Sequence, residues 1–213
     1  MATKVKICGL KTEAALEAAL AGGADYVGLV FFPPSPRNVT PAAAKALAAR
    51  ARGRAKVVAL MVDPDDALIE TVMASADPDI LQLHGEETPE RVREVSRRWG
   101  RPVMKAIKVA TAEDARAAIG YRGAADLVLF DARAPEDSTR PGGNGAPFDW
   151  HALSGVDDKV RCVLSGGLTP DNVAEAVRVT GAGIVDVSSG VESRPGEKDP
   201  DLIRRFLRAA KGG

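Results

Sequence analysis

The chain has 213 residues, 45% hydrophobic and 27% charged, with 29 acidic and 29 basic side chains and a formal net charge of zero. That composition provides for a real core and gives the molecule no overall charge to draw it to nucleic acid or an anionic membrane. Two cysteines, Cys8 and Cys162, and two histidines show no metal-like spacing, so a reduced, cytoplasmic protein without a structural metal is expected.

No apolar run approaches the roughly 20 residues of a membrane span, and no apolar signal segment opens the chain. No linker-like stretch divides it, so residues 1–213 read as one domain.

Taken in order, Lys4–Cys8 is a short strand that ends on a thiol before Gly9. Side chains alternate across a strand, so Lys6 and Cys8 share one face. A cation behind a thiol at a strand end suits a cysteine held partly ionised. Further short apolar runs follow at Tyr26–Phe31, Lys56–Val62, Ile80–Leu83, Val103–Ile107, Leu127–Phe130, Arg161–Leu164 and Ile184–Val187, eight in all with the first.

Between them lie alanine-rich helical patterns with legible starts. Thr40-Pro41, Asp63-Pro64, Thr88-Pro89, Thr169-Pro170 and Asp199-Pro200 each place a capping residue before a proline. Thr12, Thr111 with Asp114, and Asp149 before Trp150–Leu153 complete eight starts. The basic run Arg50, Arg52, Arg54, Lys56 reads as the cationic end of a helix.

Such alternation gives parallel sheets with right-handed crossovers. An open doubly wound sheet and a closed barrel compete. The count of eight favours a single (β/α)8 TIM barrel, and Cys-Gly-Leu-Lys-Thr-Glu after the first strand is not a dinucleotide fingerprint.

In a barrel the chemistry belongs at the C-terminal strand ends. Ser165-Gly166-Gly167 after the seventh strand and Ser188-Ser189-Gly190 after the eighth stand where barrels bind phosphate, since small residues let backbone N–H groups approach an anion. The long segment 132–148 contains Pro141-Gly142-Gly143-Asn144-Gly145 and reads as a lid able to wrap an anion.

Asp131 ends the sixth strand with no helix close enough for it to cap. Arg37 sits in the proline-stiffened stretch Pro33-Pro34-Ser35-Pro36. Gln82 and His84 share a face of the fourth strand, and His84 is either a hydrogen-bonded structural residue or part of a site. A thiol and a carboxyl on different strands, beside an anchored phosphate, suit the proton transfers of sugar isomerisation.

These residues resemble the phosphoribosylanthranilate isomerase family of tryptophan biosynthesis. The motifs are Lys6-Ile7-Cys8-Gly9, Ser35-Pro36-Arg37, Gln82-Leu83-His84-Gly85, Phe130-Asp131, Gly142-Gly143-Asn144-Gly145 through Phe148-Asp149-Trp150, Ser165-Gly166-Gly167-Leu168, and Asp186 through Glu192 with Pro195-Gly196 and Lys198-Asp199. The resemblance implies a cofactor-free Amadori rearrangement of a small sugar-phosphate substrate, N-(5-phosphoribosyl)anthranilate. It implies Asp131 as the general acid that opens the ribose ring and Cys8 as the base that removes the C2 proton. Arg37 would hold the anthranilate end, with His84, Gly143, Gly145, Gly166, Gly167, Ser188, Ser189 and Gly190 around the substrate. Asn144, where the family usually has threonine, and Leu60-Met61-Val62-Asp63 are departures.

Three alternatives compete. A related isomerase of histidine biosynthesis uses a carboxylate where this chain has Cys8. An aldolase would need a Schiff-base lysine, with Lys6, Lys105 or Lys108 available. A non-catalytic sugar-phosphate-binding protein would not need Cys8 and Asp131. A monomer and a homodimer are both compatible with the sequence. Finally, parity puts Lys6 inside the barrel, where it needs a partner, and the neighbouring eighth strand offers Asp186 for a buried ion pair.

Overall fold

The computed structural model describes residues 3–132, 149–153 and 162–212. Eight parallel strands close in sequence order: β1 (Lys4–Cys8), β2 (Tyr26–Val30), β3 (Lys56–Met61), β4 (Ile80–Leu83), β5 (Val103–Val109), β6 (Leu127–Ala132), β7 (Cys162–Leu164) and β8 (Ile184–Val187). Around them lie α1 (Glu13–Ala21), α2 (Pro41–Ala51), α3 (Asp66–Ala76), α4 (Pro89–Trp99), α5 (Ala112–Arg116), α6 (Val173–Thr180) and α7 (Pro200–Lys211). A 3₁₀ turn, Trp150–Leu153, stands in the helix position after β6. The expected barrel is the fold.

Strand alternation sorts the core into two shells. Val5 and Ile7 of β1 point outward and pack in the cluster that holds Leu16, Leu47, Val72 and Phe206 from the helices. Tyr26, Val58, Met104, Leu127, Leu129 and Val163 point inward and fill the barrel. The alanines of α1 and α2, among them Ala15, Ala19, Ala44 and Ala48, are buried. Their short side chains let these helices lie close on the strands.

Caps fix the helix starts as the sequence suggests at Thr12, Thr40, Thr88, Thr111 and Asp199, each accepting a backbone N–H of the first turn. Such caps contribute about 1 kcal/mol each. Two starts differ. Asp65, not Asp63, caps α3, and Asp63 instead adopts φ 44° and accepts from Glu86 N. At Thr169-Pro170 the chain makes a turn in which Thr169 N donates to Asn172 Oδ1, and α6 begins only at Val173.

The N-terminal end of the barrel repeats one device three times. Asp25, Asp79 and Asp126, each just before an even-numbered strand, accept the N–H of Val5, Val57 and Val103 on the strand before it. The basic run at the end of α2 pairs outward, Arg50 with Glu13, Arg52 with Asp77 and Arg54 with Glu17.

One element was not anticipated. After β8 an antiparallel ribbon forms from β9 (Glu192–Arg194) and β10 (Glu197–Lys198), turning at Pro195-Gly196. Among the described residues no helix is long and apolar enough to cross a membrane.

Candidate active site

Cys8 ends β1 facing into the barrel and is buried. Gly28 stands beside it on β2, and a Cβ there would lie 2.9 Å from Cys8 Sγ. The missing side chain at Gly28 is therefore what makes room for the thiol. Beneath Cys8, Lys6 Nζ donates to Asp186 Oδ1 at 2.9 Å, and Asp186 Oδ2 accepts from Ser165 Oγ at 3.1 Å.

Burial alone would push Lys6 toward neutrality. The Asp186 carboxylate and the neighbouring Cys8 together outweigh burial, and the ammonium is held charged well above its ordinary range. The thiol goes the other way. Burial pushes Cys8 up, and the Lys6 and Lys198 ammonium groups do not fully offset it. The direction is opposite to the one expected for a partly ionised thiol, because desolvation of the anion exceeds the attraction of both cations.

The ribbon supplies the second ion cluster. Lys198 Nζ donates to Ser188 O at 3.0 Å and to Glu192 at 2.5 Å, while Ser188 Oγ donates to Cys8 O at 3.3 Å. Glu192 also binds Arg37 in a two-pronged pair, Nε to Oε1 at 2.7 Å and Nη2 to Oε2 at 2.8 Å. Burial would raise the Glu192 carboxyl, but the hydrogen bonds from Arg37 and the charge of Lys198 hold it down to about 2. Arg37 is therefore buried and fixed chiefly by Glu192, rather than by its prolines alone. Its aliphatic stem lies over Gly9, where a Cβ would come within 2.7 Å of Arg37 Cδ.

On the far side of the mouth, Asp131 points inward from β6 and is buried. Its Oδ2 lies 3.2 Å from His84 Nε2, and His84 Nδ1 lies 3.2 Å from Gln82 Nε2. Between β6 and β1 come the two glycine-rich loops. Gly166 and Gly167 both have positive φ, and Asn172 Nδ2 donates to Gly167 O to hold the first loop. The second loop closes against the first. A Cβ on Gly190 would lie 1.8 Å from Leu168 O, so only glycine fits.

The structure gathers Cys8, Arg37, His84, Asp131, Gly166, Gly167, Ser188, Ser189 and Gly190 at one end of the barrel, with Lys6 and Asp186 beneath. Gly143, Gly145 and the lid reading of residues 132–148 fall mostly outside the described residues.

The candidate Schiff-base lysines do not present a free amine to the mouth. Lys6 is paired. Lys105 points outward to Glu87 at 3.0 Å and donates to Gly85 O, and Lys108 binds Glu86. Glu192, Lys198 and Gly28 were not singled out as site residues. The Pro195-Gly196 turn flanked by Glu192 and Lys198 is a hairpin signal that would have brought the first two together. Among the described residues no group of three or more His, Cys, Asp or Glu side chains is placed to hold a metal ion.

Comparison with known proteins points to one family and to the same fold. The family model for N-(5'-phosphoribosyl)anthranilate isomerase matches residues 5–209. The isomerase of that name from Bradyrhizobium diazoefficiens is 56% identical over 211 residues, covering 99% of this chain and 95% of the relative. The crystal structure of phosphoribosyl anthranilate isomerase from Thermotoga maritima superposes with a TM-score of 0.89 at 37% identity, covering 99% of this chain and 100% of the other. A second crystal structure of such an isomerase, in complex with reduced 1-(o-carboxyphenylamino)-1-deoxyribulose 5-phosphate, gives 0.86 at 35% identity with the same coverage.

Proposed function

The chain belongs to the N-(5'-phosphoribosyl)anthranilate isomerase family, and we propose on that premise that Cys8 and Asp131 divide the proton transfers of its reaction. It is an isomerase of tryptophan biosynthesis, converting N-(5-phosphoribosyl)anthranilate to the open-chain carboxyphenylamino deoxyribulose phosphate.

Asp131 gives its proton to the ribose ring oxygen as the bond from that oxygen to C1 breaks, and the anthranilate nitrogen forms the Schiff base. In the fraction of enzyme whose thiol has first given its proton to solvent, Cys8 as thiolate takes the proton from C2, and the resulting enolamine becomes the ketone as O2 loses its proton and C1 gains one. One proton leaves the carboxyl and one arrives on sulfur, so the enzyme's total is unchanged.

The observation that carries this reading is the order of groups around the mouth. Asp131 on β6 and Cys8 on β1 both face inward, and the loops after β7 and β8 lie between them. A phosphate held by the N–H groups of Gly166, Gly167, Ser189 and Gly190 would set the ribose between acid and base. Arg37, just beyond Cys8 after β2, keeps Nη1 free of the Glu192 pair and is placed for the anthranilate carboxylate.

The test is turnover of phosphoribosylanthranilate followed by anthranilate fluorescence. Cys8→Ala and Asp131→Asn should each fold and bind but lose turnover. Wild-type kcat in either variant removes that residue's assignment.

A further inference from the structure

Below the mouth lies a polar side chain that the acid–base pair does not use. Gln82 is fully buried on the inward face of β4, two residues before His84. Its amide nitrogen contacts His84 Nδ1 at 3.2 Å, and the other ring nitrogen lies 3.2 Å from Asp131 Oδ2. The three side chains run in a line from β4 over β5 to β6. The pairing of Leu83 with Lys105 puts Ala106 beside His84, and its small side chain leaves the ring a path across the strand between.

Two atoms of this line have no hydrogen bond among the described residues, Gln82 Oε1 and His84 Nε2. The second is close to Asp131 but poorly aligned, as catalytic contacts often are before substrate tightens them.

A neutral imidazole has one donor nitrogen and one acceptor nitrogen, and whatever binds one fixes the role of the other. An amide N–H on Nδ1 makes Nδ1 the acceptor and places the ring proton on Nε2, facing Asp131. The reversed amide would leave a lone pair on Nε2. That lone pair would meet a carboxylate as soon as Asp131 had given up its proton, and the two would repel.

We propose that Gln82 is a positioning residue that holds His84 as the Nε2–H tautomer, so that the ring donates to Asp131 Oδ2 and leaves Oδ1 to carry the acid proton. The proposal rests on the reading of Asp131 as the acid. In the ring-opening step Oδ1–H passes to the ribose oxygen, the new carboxylate keeps the Nε2–H bond at Oδ2, and His84 neither gains nor loses a proton.

The chain has only two histidines, and His151 is exposed and outside the barrel. ¹⁵N NMR of the full-length protein, with His151→Asn for assignment, therefore reads the His84 tautomer directly. A protonated Nε2 and an unprotonated Nδ1 at neutral pH are expected; the reverse, or a doubly protonated ring, overturns the proposal. Gln82→Met keeps the length and removes the amide. It should mix the two tautomers and lower kcat roughly tenfold or more while KM changes less than about twofold, as loss of a tautomer-fixing partner does. An unchanged His84 spectrum with unchanged kcat would make Gln82 mere filling. Turnover by Asp131→Asn would instead remove the acid assignment, whatever the spectrum shows.

Discussion

Lys6 Nζ lies 2.9 Å from Asp186 Oδ1 inside the barrel, on adjacent strands whose pairing sets the two residues side by side. Because both are buried, each is tolerable only with the other. Breaking such a pair typically costs about 3–5 kcal/mol, since it strands a charge. Lys6→Met should lose stability on that scale in urea unfolding, and adding Asp186→Leu should recover part of it. Lys6 is raised above its ordinary 10.5, so its contribution is complete below that pH and falls only as pH climbs toward the folded value. The gap between wild type and Lys6→Met should stay flat from pH 6 to pH 9.5. A gap that closes within that range would mean the pair is not what Lys6 supplies.

The direction of the Cys8 shift makes a kinetic prediction. Burial holds the thiol above its ordinary 9.0, so kcat/KM should keep rising with pH through the mildly alkaline range. Lys198 is one of the two cations that partly offset burial. Lys198→Met should move the rising limb to higher pH, whereas a limb that stays put would show its charge does not reach the sulfur. Cys8→Ala should lose at least about a hundredfold in kcat, the scale of a general base.

Glu192 joins the arginine and the lysine, and its carboxyl is held at about 2 against an ordinary 4.5. That difference corresponds to about 3 kcal/mol as an order of magnitude. A lowered carboxyl stabilises above the unfolded value and loses its contribution as pH falls through the folded one. Stability curves of wild type and Glu192→Gln should accordingly converge between about pH 4.5 and pH 2. A gap that persists unchanged to pH 2 would assign the loss to packing instead. At neutral pH the variant should raise KM more than it lowers kcat, as should Arg37→Met, because both loosen the same guanidinium.

Gly28→Ala tests the space around the thiol. The new Cβ would meet Cys8 Sγ at 2.9 Å and Cys8 Cα at 3.0 Å. Overpacking of that kind costs about 1–3 kcal/mol and displaces the thiol. Turnover should fall while the fold survives, with KM little altered. Full activity in this variant would show that sulfur has room to move without consequence.

The sequence by itself determined what depends on near neighbours. Strand parity put Lys6 with Cys8 and Gln82 with His84 on shared faces, and threonines before prolines set the starts of α2 and α4, because side-chain direction and orphan N–H groups are satisfied within a few residues. Even the Lys6–Asp186 pair followed from parity once closure makes β1 and β8 neighbours. The tertiary structure decided the rest. Arg37 finds Glu192 155 residues away on a ribbon that no strand–helix alternation foretells. Asp63 loses its place as a cap because its carboxylate is taken by Glu86 N from the next loop. The Cys8 thiol is pushed above rather than below its ordinary value because that balance sums burial over every packed neighbour, and burial exists only once the barrel has closed.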